Sequence, residues 1–424
     1  MPQREKLNVQ SPVYAPALLR LPWSRPLAQW GADLLAALPR GISRHTVRLV
    51  RSEGLVLAVK EIGAHAAWHE YRNLRRLRRL DVPCVEPVAV IAQRRDADGE
   101  ELTPCLVTEH LRYSLPYRDV FSRELDADTV SKLVRALAVL LVRLHLLNFY
   151  WGDVSLSNTL FRRDADQFSA YLVDAETGEF HEPLSRGRRL QDVELARVNI
   201  IGELMDLQAG GLLDPGVDVI ALGTTVEGIY ADLWELVVGE LEVEGDAFDA
   251  VAERVGRIND LGFDVGEAEI EQEGDVTHVR FEPAVFSTGF HRRKLKSLTG
   301  LDVQDRQAQR LLGEMEAYRA VRYGGRLPLA DVAHRWMVKE YEPVVSLVPE
   351  PLWGKLEPAQ IFHEILDHRW FLTEQKGGFV PLARAAESYF RAVLPGRPDE
   401  EVVYLPRRRD AGGLKPDGGA RDET

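Results

Sequence analysis

Between Leu144 and Glu176 an apolar sequence is broken by a few small polar side chains, and those breaks restrict what the chain can fold into. The run over 144–161 is Leu-His-Leu-Leu-Asn-Phe-Tyr-Trp-Gly-Asp-Val-Ser-Leu-Ser-Asn-Thr-Leu-Phe, and 171–176 is Tyr-Leu-Val-Asp-Ala-Glu. Asp153, Asn158 and Asp174 each stand beside residues suited to burial. An unpaired carboxylate is costly in an apolar interior. Such a placement is how a fold would present a base and two magnesium ligands over a bound nucleotide.

The segments before this run form a compact set. Residues 41–60 hold two alternating patterns separated by Arg-Ser-Glu-Gly, which predict a β-hairpin ending on Lys60. Over 64–80 the period changes. Trp68, Tyr71, Leu74, Leu77 and Leu80 recur every three or four residues, predicting an amphipathic helix with an arginine-rich outer face that Pro83 stops. Val85–Gln93 and Pro104–Thr108 read as further strands, and 127–147 as a second helix. After the polar segment come a strand at Phe168–Val173 and a helix at 190–208. Gly210-Gly211 and Asp214-Pro215 are the best linker signals. Beyond them the pattern predicts helices at 246–260, 302–320 and across 328–397, with a strand at Val276–Phe281.

At 424 residues the chain exceeds one ordinary hydrophobic core, so two domains are expected. The formal net charge of −13 argues against a protein that coats nucleic acid. Cys84 and Cys105 are the only cysteines, too few for a disulfide scaffold and without the spacing of a zinc site. No stretch has the length and apolarity of a membrane span, and the first residues lack a secretory signal's apolar run, so a cytoplasmic location is expected.

Phosphoryl transfer asks a protein for cations on the phosphates and a carboxylate that orients the attacking hydroxyl and takes its proton. Asp153, in a loop with Gly152, suits the base. Asn158 and Asp174 offer the oxygen donors that magnesium prefers. Lys60, at a strand end, can reach phosphate oxygens, and Glu70 on the next helix can hold it in place.

Residues 151–160 with Val173-Asp-Ala-Glu176 resemble the catalytic and metal loops of the protein-kinase-like superfamily, nearest its bacterial branch of lipopolysaccharide (Kdo) and aminoglycoside kinases. The resemblance covers about 40–210. It implies an α+β two-lobed fold, with a small β-rich N-lobe and a mainly helical C-lobe. It also implies Asp153 and Lys60 as catalytic residues, Asn158 and Asp174 as magnesium ligands, and Lys60, Glu70, Glu109 and His110 around ATP, with Leu106–His110 as the hinge. Trp151 stands where the loop histidine is usual, and Ala175-Glu176 replaces Phe-Gly; His145 matches another histidine of the branch. In place of a glycine-rich loop the chain has Gly41 followed by Ser43, Arg44 and His45, from which a phosphate-covering turn could be built. The region 215–380 resembles a bacterial domain of unknown function, the DUF4032 type, mostly helical and without established chemistry.

These readings give an N-terminal extension at 1–39, a kinase-like domain at 40–213, a DUF4032-like domain at 214–400 and a disordered tail at 401–424. The expected function is an ATP- and magnesium-dependent phosphotransferase acting on a hydroxyl of a small molecule or envelope sugar. The alternative is a catalytically weak or inactive pseudokinase that binds nucleotide as a regulator or scaffold, with a protein partner at the C-terminal domain. The oligomeric state is left open. Among other constellations, His65 and His69 lack a third metal ligand and read as surface or packing residues. Arg186, Arg188 and Arg189 read as a solvated basic turn. Arg292, Arg293, Lys294 and Lys296 are expected to pair with the acidic stretch 240–275, and Phe362, Leu366, Trp370 and Phe371 to pack in a helical core.

Overall fold

The computed structural model describes residues 6–9, 12–35, 45–121, 127–244, 247–274, 276–284 and 289–401. Ser43, Arg44 and nearly all of the expected tail lie outside these.

A five-stranded antiparallel sheet forms the first lobe, from β1 (Lys6–Val9), β2 (Thr46–Ser52), β3 (Leu55–Glu61), β4 (Glu86–Ala92) and β5 (Cys105–Glu109), in the order β1-β4-β5-β3-β2. The β2–β3 turn is two residues, Glu53 and Gly54, both at positive φ, the conformation that matches strand twist in a tight hairpin. One sheet face is covered by residues 12–35, which include the short helix α1 (Ala15–Leu19). Leu18, Trp23, Leu27 and Trp30 pack there on Val59, Val88 and Val107. The buried Arg94 guanidinium binds the carbonyls of Trp23, Arg25 and Thr103 and so fastens this segment. The other face receives α2 (Ala64–Arg79) through Ala67 and Tyr71 against Val90 and Leu106.

The second lobe begins with β6 (Leu115–Pro116), α3 (Tyr117–Phe121) and α4 (Ala127–Leu146). It continues through β7 (Phe149–Tyr150), the hairpin β8 (Thr159–Asp164) and β9 (Gln167–Leu172), then β10 (Glu179–Phe180), α5 (Arg186–Ala209) and α6 (Val219–Val238). β8 lies between β6 and β9, and β7 pairs with β10. Leucines at 133, 137, 140, 141 and 144 put one side of α4 into a core shared with Trp151, Ile200 and Val226. The turn at 210–218 joins two helices of that one core. The core runs on through α7 (Phe248–Asp260) to Val279 and Phe281 of a three-stranded antiparallel sheet, β11 (Glu240–Glu244), β13 (Val276–Ala284) and β12 (Asp264–Glu273), with β13 central.

A second core starts at Leu295. It is built by α8 (Phe290–Thr299), α9 (Asp305–Tyr323), α10 (Leu329–Trp336), α11 (Glu342–Ser346), α12 (Pro358–Lys376) and α13 (Leu382–Ala392). Trp336, Tyr341 and Phe362 meet at its centre. Phe362 and Leu366 are buried as expected, but Trp370 is 67% exposed and Phe371 is also exposed: α12 runs past the edge of its core. Two of the basic residues of α8 also depart from expectation. Arg292 and Lys296 pair with Asp302, at 2.5 and 2.9 Å, because the turn after α8 brings that carboxylate back beside its own helix. The whole is an α+β, antiparallel-sheet-rich region followed by a largely helical one.

Candidate active site

Strand alternation separates Lys60 from Glu61. Glu61 accepts the Leu27 N–H at 2.8 Å and Arg94 at 3.0 Å, on the face covered by the N-terminal segment. Lys60 turns the other way. Its Nζ donates to Glu70 Oε2 at 3.0 Å, Asp174 Oδ2 at 2.7 Å and Glu176 Oε2 at 3.1 Å. Oxygens of these three carboxylates lie within 4.8 Å of one another, close enough to share a divalent cation, and they are the hard donors such an ion takes.

Burial pushes the Glu70 carboxyl up to about 8, and the charge of Asp174 adds to this, while Lys60 opposes it. Burial alone would lower the Lys60 pKa; Glu70 and Asp174 outweigh it and hold the ammonium above its ordinary value. Lys60 therefore stays charged among these carboxylates. His45, beside the cleft, completes the cluster with Nε2 at 3.1 Å from Glu176.

Across the cleft, the loop after β7 is shaped by Gly152, which has a φ of +79°. A Cβ there would stand 3.0 Å from the Tyr150 ring and 3.1 Å from the Thr177 carbonyl, so a side chain is excluded twice over. Asn158 Nδ2 donates to both the carbonyl and the carboxylate of Asp153, each at 3.0 Å, closing the loop on itself. Trp151 is fully buried, and its indole N–H donates to the Asp174 carbonyl at 2.8 Å. The loop is held from below by α5. Asp192 accepts the N–H groups of Trp151 and Gly152 at 2.7 and 2.8 Å and also meets His145 Nε2 at 3.1 Å. Asn199 donates to the Val154 carbonyl, and Glu203 accepts the N–H groups of Leu156 and Ser157. Burial lowers the His145 pKa, so it stands neutral between Asp192 and the Tyr230 hydroxyl. Burial likewise raises that of Glu203.

Lys60, Glu70, Glu109, His110, Asp153, Asn158 and Asp174, the residues singled out from sequence, all line one cleft of about 1040 Å³ between the lobes. Asn158 groups with Asp153, and Asp174 with Glu70 and Glu176, while the Val173 N–H to Asn158 carbonyl bond ties the two groups together. The hinge region is more occupied than the sequence implied. The Glu109 carboxylate accepts the Tyr14 hydroxyl at 2.5 Å, and the His110 N–H donates to the Val56 carbonyl. Burial lowers the His110 side chain to about 4, so it is neutral. His69 meets the Gly178 carbonyl at 2.8 Å, which makes it a support for the loop after Asp174. Arg188 and Arg189 lie over the rings of Tyr150 and Trp234.

Sequence reasoning missed Asp192, Asn199 and Glu203. A signal existed: positions seven and four apart share a helix face, here the one that also carries Val193, Ala196 and Ile200.

Residues 44–201 match the lipopolysaccharide kinase (Kdo/WaaP) family, and residues 232–394 match DUF4032, a domain of unknown function. The chain thus carries a kinase-like domain fused to a DUF4032 domain, as the sequence resemblance implied. No curated protein matches it in sequence. Among solved structures, one described as WaaP in complex with acyl carrier protein is similar at 15% identity and a TM-score of 0.35, covering 60% of this chain and 99% of that one. No described helix is long and apolar enough to cross a membrane.

Proposed function

We propose that the chain is an ATP- and magnesium-dependent phosphotransferase acting on a hydroxyl of a small molecule or sugar. One observation carries the reading: Lys60, fixed by Glu70 and Asp174, faces the Asp153–Asn158 pair across one cleft. In this reading Lys60 binds α- and β-phosphate oxygens, and Glu70 keeps its stem in place. Asp174 and Asn158, with Glu176 available beside them, would hold magnesium, which would neutralise charge on the phosphates. Asp153 orients the acceptor hydroxyl and takes its proton as the acceptor oxygen bonds to the γ-phosphorus and the bond to the bridging oxygen of ADP breaks. Glu109 and His110 border the adenine end.

The test is nucleotide binding with and without magnesium, followed by ADP release in the presence of hydroxylated sugars and related small molecules. Wild type should bind ATP more tightly with magnesium, and Lys60→Met should lose that binding. Asp153→Asn should bind and not turn over. Binding without ADP release under any condition would favour the regulatory, catalytically silent reading instead. Full turnover by Asp153→Asn would remove the assigned base.

A further inference from the structure

The β8–β9 hairpin is built like a lever between the candidate site and the C-terminal unit. At its base, β8 starts immediately after Asn158 and β9 ends two residues before Asp174, with the Val173–Asn158 backbone bond at 3.0 Å closing the gap. Its tip, four to six residues away, points to α9 and α12. There Gln360 accepts the Ala165 N–H at 3.1 Å and donates to the Ala165 carbonyl at 3.0 Å. Gln307 donates its backbone N–H to Asp164 at 2.9 Å, and its side chain bonds the Arg163 carbonyl and Gln360, both at 3.1 Å. Nearer the base, where Tyr171 stands opposite Leu160, Gln304 accepts the Tyr171 hydroxyl at 2.7 Å. Two ion pairs flank the tip, Arg162 with Glu357 and Arg163 with Glu400, both at 2.7 Å.

Apart from the Arg162 Nε, which has no hydrogen-bond partner among the described residues, the polar groups of this junction are satisfied. Asp164, Gln304, Gln307 and Gln360 are all buried, and groups buried in that way cost stability unless every partner is present. Such a junction has a narrow set of geometries, whereas an apolar contact could slide. β6 pairs with the hairpin only at Leu160 and Phe161, and Phe161, Ala170 and Leu172 seat its base in the core. The tip beyond them is a two-stranded ribbon, which depends for its position on what grips it.

We infer that the DUF4032 unit serves as a clamp that sets the placement of Asn158 and Asp174 through this hairpin, with Gln307 and Gln360 as positioning residues. The inference takes Asn158 and Asp174 as site residues from the reading above. A domain without assigned chemistry thereby acquires a role in the chemistry of its neighbour. Any partner or ligand of that unit that shifts α9 or α12 would act on the cleft by the same route.

The test is hydrogen exchange on the full-length protein, without nucleotide, in Gln360→Met and Gln307→Met, with Tyr389→Phe as control. Tyr389 bonds Glu364 inside the same unit, one step further from the hairpin than Gln360, which meets Glu364 at 3.4 Å. Both glutamine variants should raise exchange about tenfold at the hairpin and also at 153–158 and 174–178, while α13 stays protected. The control should leave 153–158 and 174–178 unchanged. If either variant loses protection throughout the unit, the shorter Gln360→Asn provides a milder reading of the same bond. A rise confined to 164–167, or an equal rise in the control, would overturn the clamp. Since this readout needs no ATP, a failure to bind nucleotide would remove the phosphotransferase reading and leave the clamp result standing.

Discussion

The indole N–H of Trp151 donates to the carbonyl of Asp174 at 2.8 Å, joining the loop that carries Asp153 to the strand end that carries the acidic cluster. Trp151 occupies the position at which a histidine is usual in the resembling family. Its ring is buried and leaves the cleft free, so the substitution alters the buttress of the site and not its mouth.

Trp151→Phe should keep most of the packing and leave the Asp174 carbonyl without this donor. The expected cost is about 1–3 kcal/mol in urea unfolding. Magnesium-dependent nucleotide affinity should fall more than magnesium-free affinity, because Asp174 is the group released. Equal loss in both measurements would assign Trp151 to general packing.

Asp192→Ala removes the acceptor of two loop N–H groups and the partner of His145. Each orphaned buried donor costs about 1–3 kcal/mol, so the variant should rank among the most destabilised single changes in the second lobe. Tyr230→Phe removes a hydroxyl that meets the other side of His145 and also Arg189, and should cost about 1 kcal/mol. Comparable unfolding midpoints for the two variants would contradict the anchoring role of Asp192.

The sequence made legible what is local or short-range in pattern. Lys60 was found because a strand ends there, Glu70 because its helix follows directly, and Asp174 because an apolar strand delivers it. Those three side chains do converge. Asp192 and Glu203 share the helix face of Val193 and Ile200, but that spacing alone does not mark them as anchors. A carboxylate on a helix is ordinarily solvated, and only the tertiary fold turns these inward under loop N–H groups. Trp370 continues the four-residue spacing of Phe362 and Leu366 yet lies outside their core; periodicity gives the face of a helix but not where its partner ends. The strands β11 and β12 do alternate, as Glu-Leu-Glu-Val-Glu at 240–244 and Glu-Ala-Glu-Ile-Glu at 267–271, but glutamate is depleted in strands and hides that period. Their glutamates at 240, 242, 269 and 271 stand opposite Arg280 and His278 in a charged ladder.

Arg94 tests whether the N-terminal segment is part of the first lobe's stability. Its guanidinium is fully buried among three carbonyls and Glu61, so Arg94→Met strands several acceptors at once. The expected destabilisation is about 3–5 kcal/mol. Limited proteolysis should cut within 12–35 in the variant before it cuts the sheet. An intact segment under conditions that digest the sheet would place the fastening elsewhere.

Asp164, inside the junction between the hairpin and α9, gives stability a particular pH dependence. Burial raises its carboxyl from 3.8 to about 6, against the hydrogen bonds from Gln307 and Ser169 that favour the charged form. The folded chain therefore binds more protons than the unfolded chain between those two values. Stability from this group is fully present below about 3.8 and is lost as pH rises to about 6, by an amount on the order of 3 kcal/mol. Asp164→Asn keeps the shape and removes the titration. Wild type should accordingly lose stability relative to Asp164→Asn as pH increases across that window, measured by urea unfolding of both proteins at matched ionic strength. A difference between the two that stays constant from pH 4 to pH 7 would mean that Asp164 is already charged in the fold, and that Gln307 and Ser169 outweigh its burial.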